Sequence, residues 1–343
     1  MESVRWGILS ISGHYTLRVH QPLSRLGGAA IAAIASRDKA RAAEAAARLG
    51  IPRAYGSYAE LLADPEIDAV YNPLPNHLHA EWSIAALEAG KHVLCEKPLA
   101  MDSGEARAMA AKAREKGLVL MEAFMYRFHP QWRRAWEIVA SGELGRLKAI
   151  QAWFTYDNSD STNIRNRVET GGGALYDIGC YAVSSARFMA DANAFFVHDP
   201  ASCPAEPDKG LYVADRDAAF GTDIMGTGLM TFGREGPRST FHVSTQAFPV
   251  QRIEAVGERG SLALALPFNA FADTGLSLEV TTNLGTRRIA AGPADQYGLM
   301  FEAFGRAVRA GTAAPTPIED GVANMAAIDA LLRSEKSGYW EKV

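Results

Sequence analysis

The chain is poor in cysteine and contains no long apolar run. Its 343 residues include three cysteines, without the paired CxxC spacing of a structural zinc site: Cys95, Cys180 and Cys203. So few cysteines exclude a disulfide-rich secreted scaffold and favour a reducing, cytoplasmic compartment. No apolar run approaches the roughly 20 residues that cross a bilayer, so we expect no membrane partner.

The chain also lacks an excess of charge of one sign. Lys and Arg number 35 and Asp and Glu number 39, which gives a formal net charge of −4. This balance excludes a broad basic footprint for nucleic acid. The first residues already form a strand pattern through Leu9, so we expect no secretion signal. At about 100–200 residues per domain, the length predicts roughly two domains.

The first 120 residues alternate short apolar runs with helical patterns. Strands are predicted at 4–9, 29–35, 67–71, 91–95 and 118–121. Helical patterns run through Arg25 and over 38–49, 58–63, 77–89 and 102–116. Repeated strand–helix alternation predicts a doubly wound parallel sheet with helices on both faces, an α/β Rossmann architecture.

The pattern changes after Phe128. Helices are predicted at 130–141, 295–310 and 319–334, and strands at 147–155, 225–232, 239–246, 252–256, 261–266, 276–281 and 287–289. Glycine-rich breaks such as 233–236 suit antiparallel hairpins, so we expect an α+β unit on a mostly antiparallel sheet. The polar, irregular segment 157–173 is of the kind that is often functional.

The turn after the first strand is where a Rossmann fold binds pyrophosphate, usually through GxGxxG. The corresponding stretch here is Ser10-Ile11-Ser12-Gly13-His14-Tyr15. Small serines at the first two glycine positions let a phosphate approach, whereas the third glycine, replaced by Tyr15, normally permits close helix packing. The stretch therefore leaves two interpretations, a dinucleotide cradle or a tight turn without a ligand.

The second strand is followed by Ser36-Arg37-Asp38. A hydroxyl and a guanidinium suit the 2′-phosphate of NADP, whereas NAD sites place an acid here to accept from the ribose. If a cofactor binds, this favours NADP. The alternative is a solvated helix start, with Asp38 at the positive end of the helix dipole.

Two further turns follow strands at the edge where α/β sheets bind ligands. Asn72 to His77 forms either a ligand loop or a proline-stiffened turn in which Asn76 caps the next helix. His77 and His79 have no Cys or carboxylate at metal-ligand spacing, so we expect them at the helix start. After the strand at 91–95, Lys97 is either a group that orients a substrate hydroxyl or a surface lysine before a turn proline.

Asp177 and Tyr181 lie four residues apart, which places them on one face of a helix. A carboxylate, a phenol and the Lys97 ammonium in one cleft could remove a proton while hydride leaves the adjacent carbon. A nearby ammonium lowers the pKa of a phenol and makes it a usable base. The alternative is an ordinary half-buried helix pair.

Several motifs together resemble one family of NAD(P)-dependent sugar oxidoreductases. They are Glu96-Lys97-Pro98, 121–130, Asn163-Ile164-Arg165, 171–181, Pro267-Phe268-Asn269 and Arg333-Ser334. In this order and spacing they resemble the glucose–fructose oxidoreductase, inositol dehydrogenase and rhizopine catabolism (Gfo/Idh/MocA) family. The branch that they resemble contains NADP-linked D-xylose 1-dehydrogenases and dihydrodiol dehydrogenases.

The resemblance implies a Rossmann domain over 1–123 and a substrate-binding and oligomerisation domain over 124–343. The second is an α+β domain with a large open-faced, mostly antiparallel sheet that supports a homodimer or homotetramer, and a C-terminal helix able to pack back on the first domain. Catalysis is implied for Lys97, Asp177 and Tyr181, with no metal. Cofactor binding is implied for Ser10, Ser12, Gly13, His14, Ser36, Arg37, Leu74, Asn76, His77, Glu96 and Lys97. Substrate binding is implied for Arg165, Tyr126, Asp177 and Tyr181.

The implied function is that of a sugar dehydrogenase of the aldose or xylose type, linked to NADP, with NAD possible. Two alternatives stay open: a trans-dihydrodiol dehydrogenase acting on an apolar diol, and a non-catalytic dinucleotide-sensing regulator. The chain departs from the family at Gly13-His14-Tyr15, where a basic, an aliphatic and a small residue are usual. It departs again at Asn72, where an aliphatic residue is usual.

Overall fold

The computed structural model describes residues 3–192 and 205–343; Cys203 lies outside this range. The chain divides into two compact units. The first comprises Met1–Met125 and Tyr297–Val322, and the second comprises Tyr126–Gln296 and Ala323–Val343.

The first unit is built on a parallel sheet, whose six strands in the described part have the order β3-β2-β1-β4-β5-β6. The strands are β1 (Val4–Leu9), β2 (Ala29–Ala35), β3 (Arg53–Tyr55), β4 (Ala69–Asn72), β5 (His92–Cys95) and β6 (Leu120–Glu122). The helices are α1 (His20–Ser24), α2 (Lys39–Leu49), α3 (Tyr58–Leu62), α4 (His79–Glu88) and α5 (Ser103–Lys116). The predicted Rossmann architecture is confirmed.

Local signals set the ends of the helices in this unit. The carboxylate of Asp102 accepts a hydrogen bond from the Glu105 amide at 2.9 Å and caps the start of α5. At the other end, Gly117 has a φ of +64°, a left-handed conformation that glycine adopts without steric cost. These caps explain why the sequence pattern located α5 to within one residue.

A later helix, α8 (Gln296–Ala310), completes the core of the first unit. The fully buried Trp6 of β1 packs against Phe301 and Phe304, with ring centroids 4.9 and 5.4 Å apart. The contact with Phe301 is edge-to-face, a geometry that adds stability beyond the buried apolar area. The N-terminal strand and a segment almost 300 residues later therefore share one core.

The second unit contains a mixed sheet, whose nine described strands have the order β14-β13-β12-β11-β7-β10-β9-β8-β15. The strands are β7 (Leu147–Asp157), β8 (Lys209–Arg216), β9 (Asp223–Thr231), β10 (Arg238–Ser244), β11 (Gln246–Gly257), β12 (Gly260–Leu264), β13 (Leu276–Thr282), β14 (Gly285–Gly292) and β15 (Glu341–Lys342). The remaining helices are α6 (Pro130–Ala140), α7 (Cys180–Asp191) and α9 (Ile318–Ser337). Within the described part of this second sheet, only β7 and β10 pair in parallel, so the mostly antiparallel prediction is confirmed.

One surface of this sheet carries exposed apolar side chains. Trp153 of β7 packs against His242 of β10, with ring centroids 4.3 Å apart and the rings tilted by 31°. Met225 and Val213, on the next two strands, are exposed.

In the described part of the chain, no helix is long and apolar enough to span a membrane.

Candidate active site

The loop after β1 has a glycine-like backbone without the usual glycines. Ser10, at the first glycine position, has a φ of +146°, a region that side chains other than glycine rarely adopt. A Cβ added at Gly13 would meet no atom within 4 Å, so the loop borders open space there. A strained backbone beside open space at a helix start fits the binding of a pyrophosphate.

Tyr15 lies in the core and leaves this loop open. Its side chain is fully buried, and its hydroxyl forms a hydrogen bond with Nδ1 of His20 at 3.0 Å. The turn Tyr15–Val19 is π-helical, one residue wider than an α-helical turn. The wider turn accommodates a large side chain at the position where the family has a small one.

Of the residues after β2, Asp38 caps a helix, whereas Arg37 is exposed and can contact a ligand. The carboxylate of Asp38 accepts hydrogen bonds from the amides of Ala40 at 2.8 Å and Arg41 at 3.1 Å. Asp38 therefore caps α2, as the helix-start interpretation predicts. Ser36 is nearly buried and accepts from the Asp38 amide, whereas Arg37 is exposed at the carboxyl end of the sheet.

The departure at Asn72 has a structural cause. Its fully buried amide donates to the His79 carbonyl at 3.2 Å and to the Ser83 hydroxyl at 3.0 Å, while its oxygen accepts from the Leu74 amide. The amide therefore fixes the turn against α4, which an aliphatic side chain could not do. Leu74 is buried in this turn.

Asn76 and His77 follow in the short 3₁₀ turn Asn76–Leu78. The N-cap residue of α4 is Leu78, which makes no side-chain capping hydrogen bond, and the residue before the 3₁₀ turn is Pro75. The interpretation of Asn76 as a helix cap is therefore wrong, because the 3₁₀ turn separates it from α4.

His79 begins α4, as expected, and connects two turns of the candidate site. Its ring nitrogens lie 2.8 Å from the carbonyl oxygens of Pro98 and Leu74. Burial lowers the pKa of His79. The ring thus joins the turn at Leu74 to the turn that carries Lys97, whose peptide bond to Pro98 is cis.

The structure brings two predicted cofactor residues together, His14 and Glu96. Nε2 of His14 lies 3.3 Å from Oε1 of Glu96, and the Tyr71 hydroxyl donates to the same oxygen at 2.5 Å. Burial raises the pKa of Glu96, but His14, the Tyr71 hydrogen bond and Lys97 outweigh burial and lower it to about 2. Glu96 is therefore an anion at neutral pH, beside the loop that begins at Ser10.

In the second unit, Asp177 lies on the π-helical turn Leu175–Gly179, directly before α7. One of its carboxylate oxygens accepts from Nε of Arg165 at 3.0 Å. The other accepts from the Tyr156 hydroxyl at 2.5 Å. The structure thus brings Asp177 and Arg165 together and adds Tyr156, which the sequence analysis missed because the predicted strand stopped one residue before it.

Tyr181, in the first turn of α7, is held by aromatic side chains. Its ring centroid lies 5.2 Å from that of Phe268, 5.5 Å from that of Phe154 and 6.0 Å from that of Tyr126. Tyr126 is fully buried, and its hydroxyl lies 2.7 Å from that of Ser184. Tyr126 supports the ring of Tyr181, and its predicted contact with a substrate stays a prediction.

A buried carboxylate fixes the start of the turn that carries Asp177. Asp223 accepts from the Leu175 amide at 2.7 Å and from the Tyr212 hydroxyl at 2.9 Å. Burial raises the pKa of Asp223. Gly173 packs directly against this carboxylate with a φ of +122°, and a Cβ there would overlap Oδ1 of Asp223. The glycine-rich segment before the turn is therefore required by close packing.

The site contains acid–base and hydrogen-bonding groups rather than metal ligands. In residues 3–192 and 205–343, no group of three or more His, Cys, Asp and Glu side chains could hold a metal ion. A Rossmann sheet with an open first loop, together with a second unit that presents a phenol and a fixed carboxylate, is typical of a nicotinamide-dependent oxidoreductase.

Comparison with known families agrees with this class. Residues 4–124 match the oxidoreductase family with an NAD-binding Rossmann fold, and residues 132–263 match the GFO/IDH/MocA C-terminal domain. The chain belongs to the Gfo/Idh/MocA family and is an NAD(P)-dependent oxidoreductase.

Its relatives include enzymes that act on different substrates. The chain is 39% identical to D-xylose 1-dehydrogenase (NADP(+)) 2 of Haloferax volcanii, over 90% of each chain. It is 39% identical to trans-1,2-dihydrobenzene-1,2-diol dehydrogenase of Mus musculus, over 53% of this chain and 54% of that one. The crystal structure of KijD10, a 3-ketoreductase from Actinomadura kijaniata in complex with NADP and TDP-benzene, matches with a TM-score of 0.87. The two sequences are 29% identical, and the match covers 97% of this chain and 98% of that one.

Proposed function

We propose that the chain is an NADP-linked dehydrogenase of an aldose-type sugar, which oxidises a hemiacetal or secondary hydroxyl or catalyses the reverse reduction. The observation that carries the proposal is Tyr181, a phenol held in an aromatic cluster one helical turn after the fixed carboxylate of Asp177. The relation to the xylose dehydrogenase extends over most of the chain, whereas the relation to the diol dehydrogenase covers about half of it. This difference favours a sugar over an apolar diol.

In the proposed mechanism, Lys97, Asp177 and Tyr181 act on one substrate. The nicotinamide, when bound, supplies the hydride acceptor. Tyr181 in its phenolate form accepts the proton of the substrate hydroxyl, and as a phenol it returns that proton in the reverse reaction. Lys97 donates a hydrogen bond to the same hydroxyl, and Asp177 orients the substrate.

The residues of the first unit divide into three groups around the proposed cofactor. The loop formed by Ser10, Ser12, Gly13 and His14 would hold the pyrophosphate. Ser36 and Arg37 would hold the 2′-phosphate. Leu74, Asn76, His77, Glu96 and Lys97 would bind the nicotinamide half. His14 of this loop pairs with the anionic Glu96, which directly precedes Lys97. This contact supports the proposal that the loop and the turn that carries Lys97 bind the same cofactor.

Replacing Arg37 by alanine should weaken NADPH binding by about 10-fold to 100-fold, the effect of losing one hydrogen bond to a charged group. NADH has no 2′-phosphate, so its affinity should change little. Fluorescence titration of both reduced cofactors measures the two dissociation constants. Arg48→Ala, near the C-terminal end of α2, the helix that follows Arg37, is the matched control. Equal losses for both cofactors would contradict the assignment of Arg37.

A panel of neutral aldoses and apolar diols, assayed with NADP and NAD through the absorbance of the reduced nicotinamide, tests the function itself. We expect NADP-dependent oxidation of an aldose. Faster oxidation of a diol would support the dihydrodiol alternative. Cofactor binding without turnover of any compound would support a sensor. Failure to bind either cofactor would reject the proposal.

We also propose a cytoplasmic homodimer or homotetramer that forms through the exposed sheet surface. Exposed apolar side chains on neighbouring strands, such as Trp153, Met225 and Val213, support an interface there. The buried, unbridged Cys95 and Cys180 support a reducing compartment. Sedimentation equilibrium should give two or four times the mass of one chain, and a monomer at micromolar concentration would contradict the interface.

A further inference from the structure

Arg165 has two terminal amino groups that no residue in the described part of the chain uses. Its Nε donates to Asp177, and its backbone amide donates to the side chain of Asn163. In the described ranges, 3–192 and 205–343, the terminal amino groups of Arg165 have no hydrogen-bond partner. The side chain is 38% exposed. Because Nε is fixed, the terminal groups form a planar pair of donors held in one orientation.

The charge of Arg165 is already compensated within this unit. Asp177 contributes one negative charge at 3.0 Å from Nε. Tyr156 remains a neutral phenol, because burial and the neighbouring Asp177 raise its pKa. The group formed by Arg165, Asp177 and Tyr156 therefore carries no net charge, although it presents strong donors.

This balance discriminates between classes of substrate. A carboxylate or phosphate that approached Arg165 would lose its hydration and would also meet the charge of Asp177. A hydroxyl has a much smaller cost of desolvation and accepts the same hydrogen bonds. In the proposed mechanism, the ammonium of Lys97 and the phenolate of Tyr181 compensate each other in the same way, so they supply no attraction for an anion.

We propose that Arg165 determines specificity by binding two adjacent uncharged hydroxyls of the sugar through its terminal amino groups. Asp177, held on its other side by Tyr156, is the positioning residue that neutralises Arg165 and makes the site reject carboxylated and phosphorylated sugars. Asp177 thus orients the substrate through Arg165. This inference rests on the proposed function, because it concerns the same substrate site.

The test compares a neutral sugar with its charged counterpart, such as D-glucose with D-glucuronate. In the wild-type protein, kcat/KM for the neutral sugar should exceed that for the uronate by at least about 10-fold. Asp177→Asn leaves the charge of Arg165 uncompensated, so the ratio should shift towards the uronate by about 10-fold to 100-fold. Any loss of turnover common to both sugars cancels in this ratio.

Tyr156→Phe is the matched control, because it removes a donor to the same carboxylate without changing the charge. It should raise KM for both sugars and leave their ratio unchanged. If Asp177→Asn has no measurable turnover, the dissociation constants of the two sugars from the complex with NADP, measured by equilibrium dialysis, give the same ratio.

The outcomes separate this inference from the function on which it rests. If the wild-type protein oxidises neither sugar nor any other aldose, the proposed function fails. If it oxidises sugars but uses the uronate as well as the neutral form, the function stands and the inference is wrong. An unchanged ratio in Asp177→Asn would also overturn the inference.

Discussion

Replacing Tyr181 by phenylalanine should lower kcat by about 100-fold to 10,000-fold, the usual contribution of a general acid or base. Phenylalanine keeps the ring contacts with Phe268, Phe154 and Tyr126 and removes only the hydroxyl. The dissociation constant of NADPH should therefore stay almost the same. Steady-state kinetics and fluorescence titration measure the two effects separately.

Tyr58→Phe is the control for this substitution. Tyr58 lies in the first unit, where its ring packs against Trp82 with centroids 4.9 Å apart, and it has no assigned role in the site. Its substitution should leave kcat unchanged. Comparable losses of turnover and cofactor affinity in Tyr181→Phe would reject the role of Tyr181 as the proton acceptor.

The second large effect is expected at Gly173. Alanine there must adopt a φ of +122° and place its Cβ on the carboxylate of Asp223. Backbone strain and overpacking together should lower the free energy of unfolding by about 2–5 kcal/mol. Because Asp223 also accepts from the amide of Leu175, kcat should fall as the turn that carries Asp177 shifts. Urea denaturation and steady-state kinetics measure the two losses.

Gly275→Ala gives the matched comparison, since a Cβ at Gly275 would meet no atom within 4 Å and its φ lies outside the left-handed region. That variant should unfold within about 0.5 kcal/mol of the wild-type protein. If Gly173→Ala were as stable and as active as the wild-type protein, close packing against Asp223 would not be what fixes the turn that carries Asp177.

The first unit was predictable because its signals are local. The apolar run of β2 and the capping residues of α5 can each be recognised within a few residues of the sequence. The short edge strand β3 escaped prediction because its three residues are only half-buried and have no apolar pattern. The place of α8 beside Trp6 also escaped prediction, because that packing joins residues almost 300 positions apart.

The second unit was less predictable because its pairings are long-range. The strands β8 and β15 were missed. The start of β11 at Gln246 was also missed, and the predicted strand began only at 252, because an irregular register between Gln246 and Val250 interrupts the pattern. The parallel pairing of β7 with β10 connects strands that many residues separate. No local pattern specifies such a partner.

In the candidate site, too, local features could be predicted from the sequence and long-range contacts could not. The resemblance assigned Asp177, Tyr181 and Arg165, and the four-residue spacing placed the first two on one helical face. The contact of Arg165 with Asp177 could not be read from the sequence, because an irregular loop and a π-helical turn separate the two residues. Tyr156 continues the alternation of β7 by one residue, and that was the only signal that could have revealed it.

We propose that Lys97, Asp177 and Tyr181 act on one sugar beside a bound dinucleotide. A crystal structure of the chain with NADP and a neutral sugar tests it most directly. We expect the pyrophosphate on the loop from Ser10 to His14, with Tyr181 Oη and Lys97 Nζ both within hydrogen-bonding distance of one substrate hydroxyl. A sugar bound away from Tyr181, or a dinucleotide bound away from that loop, would contradict the claim.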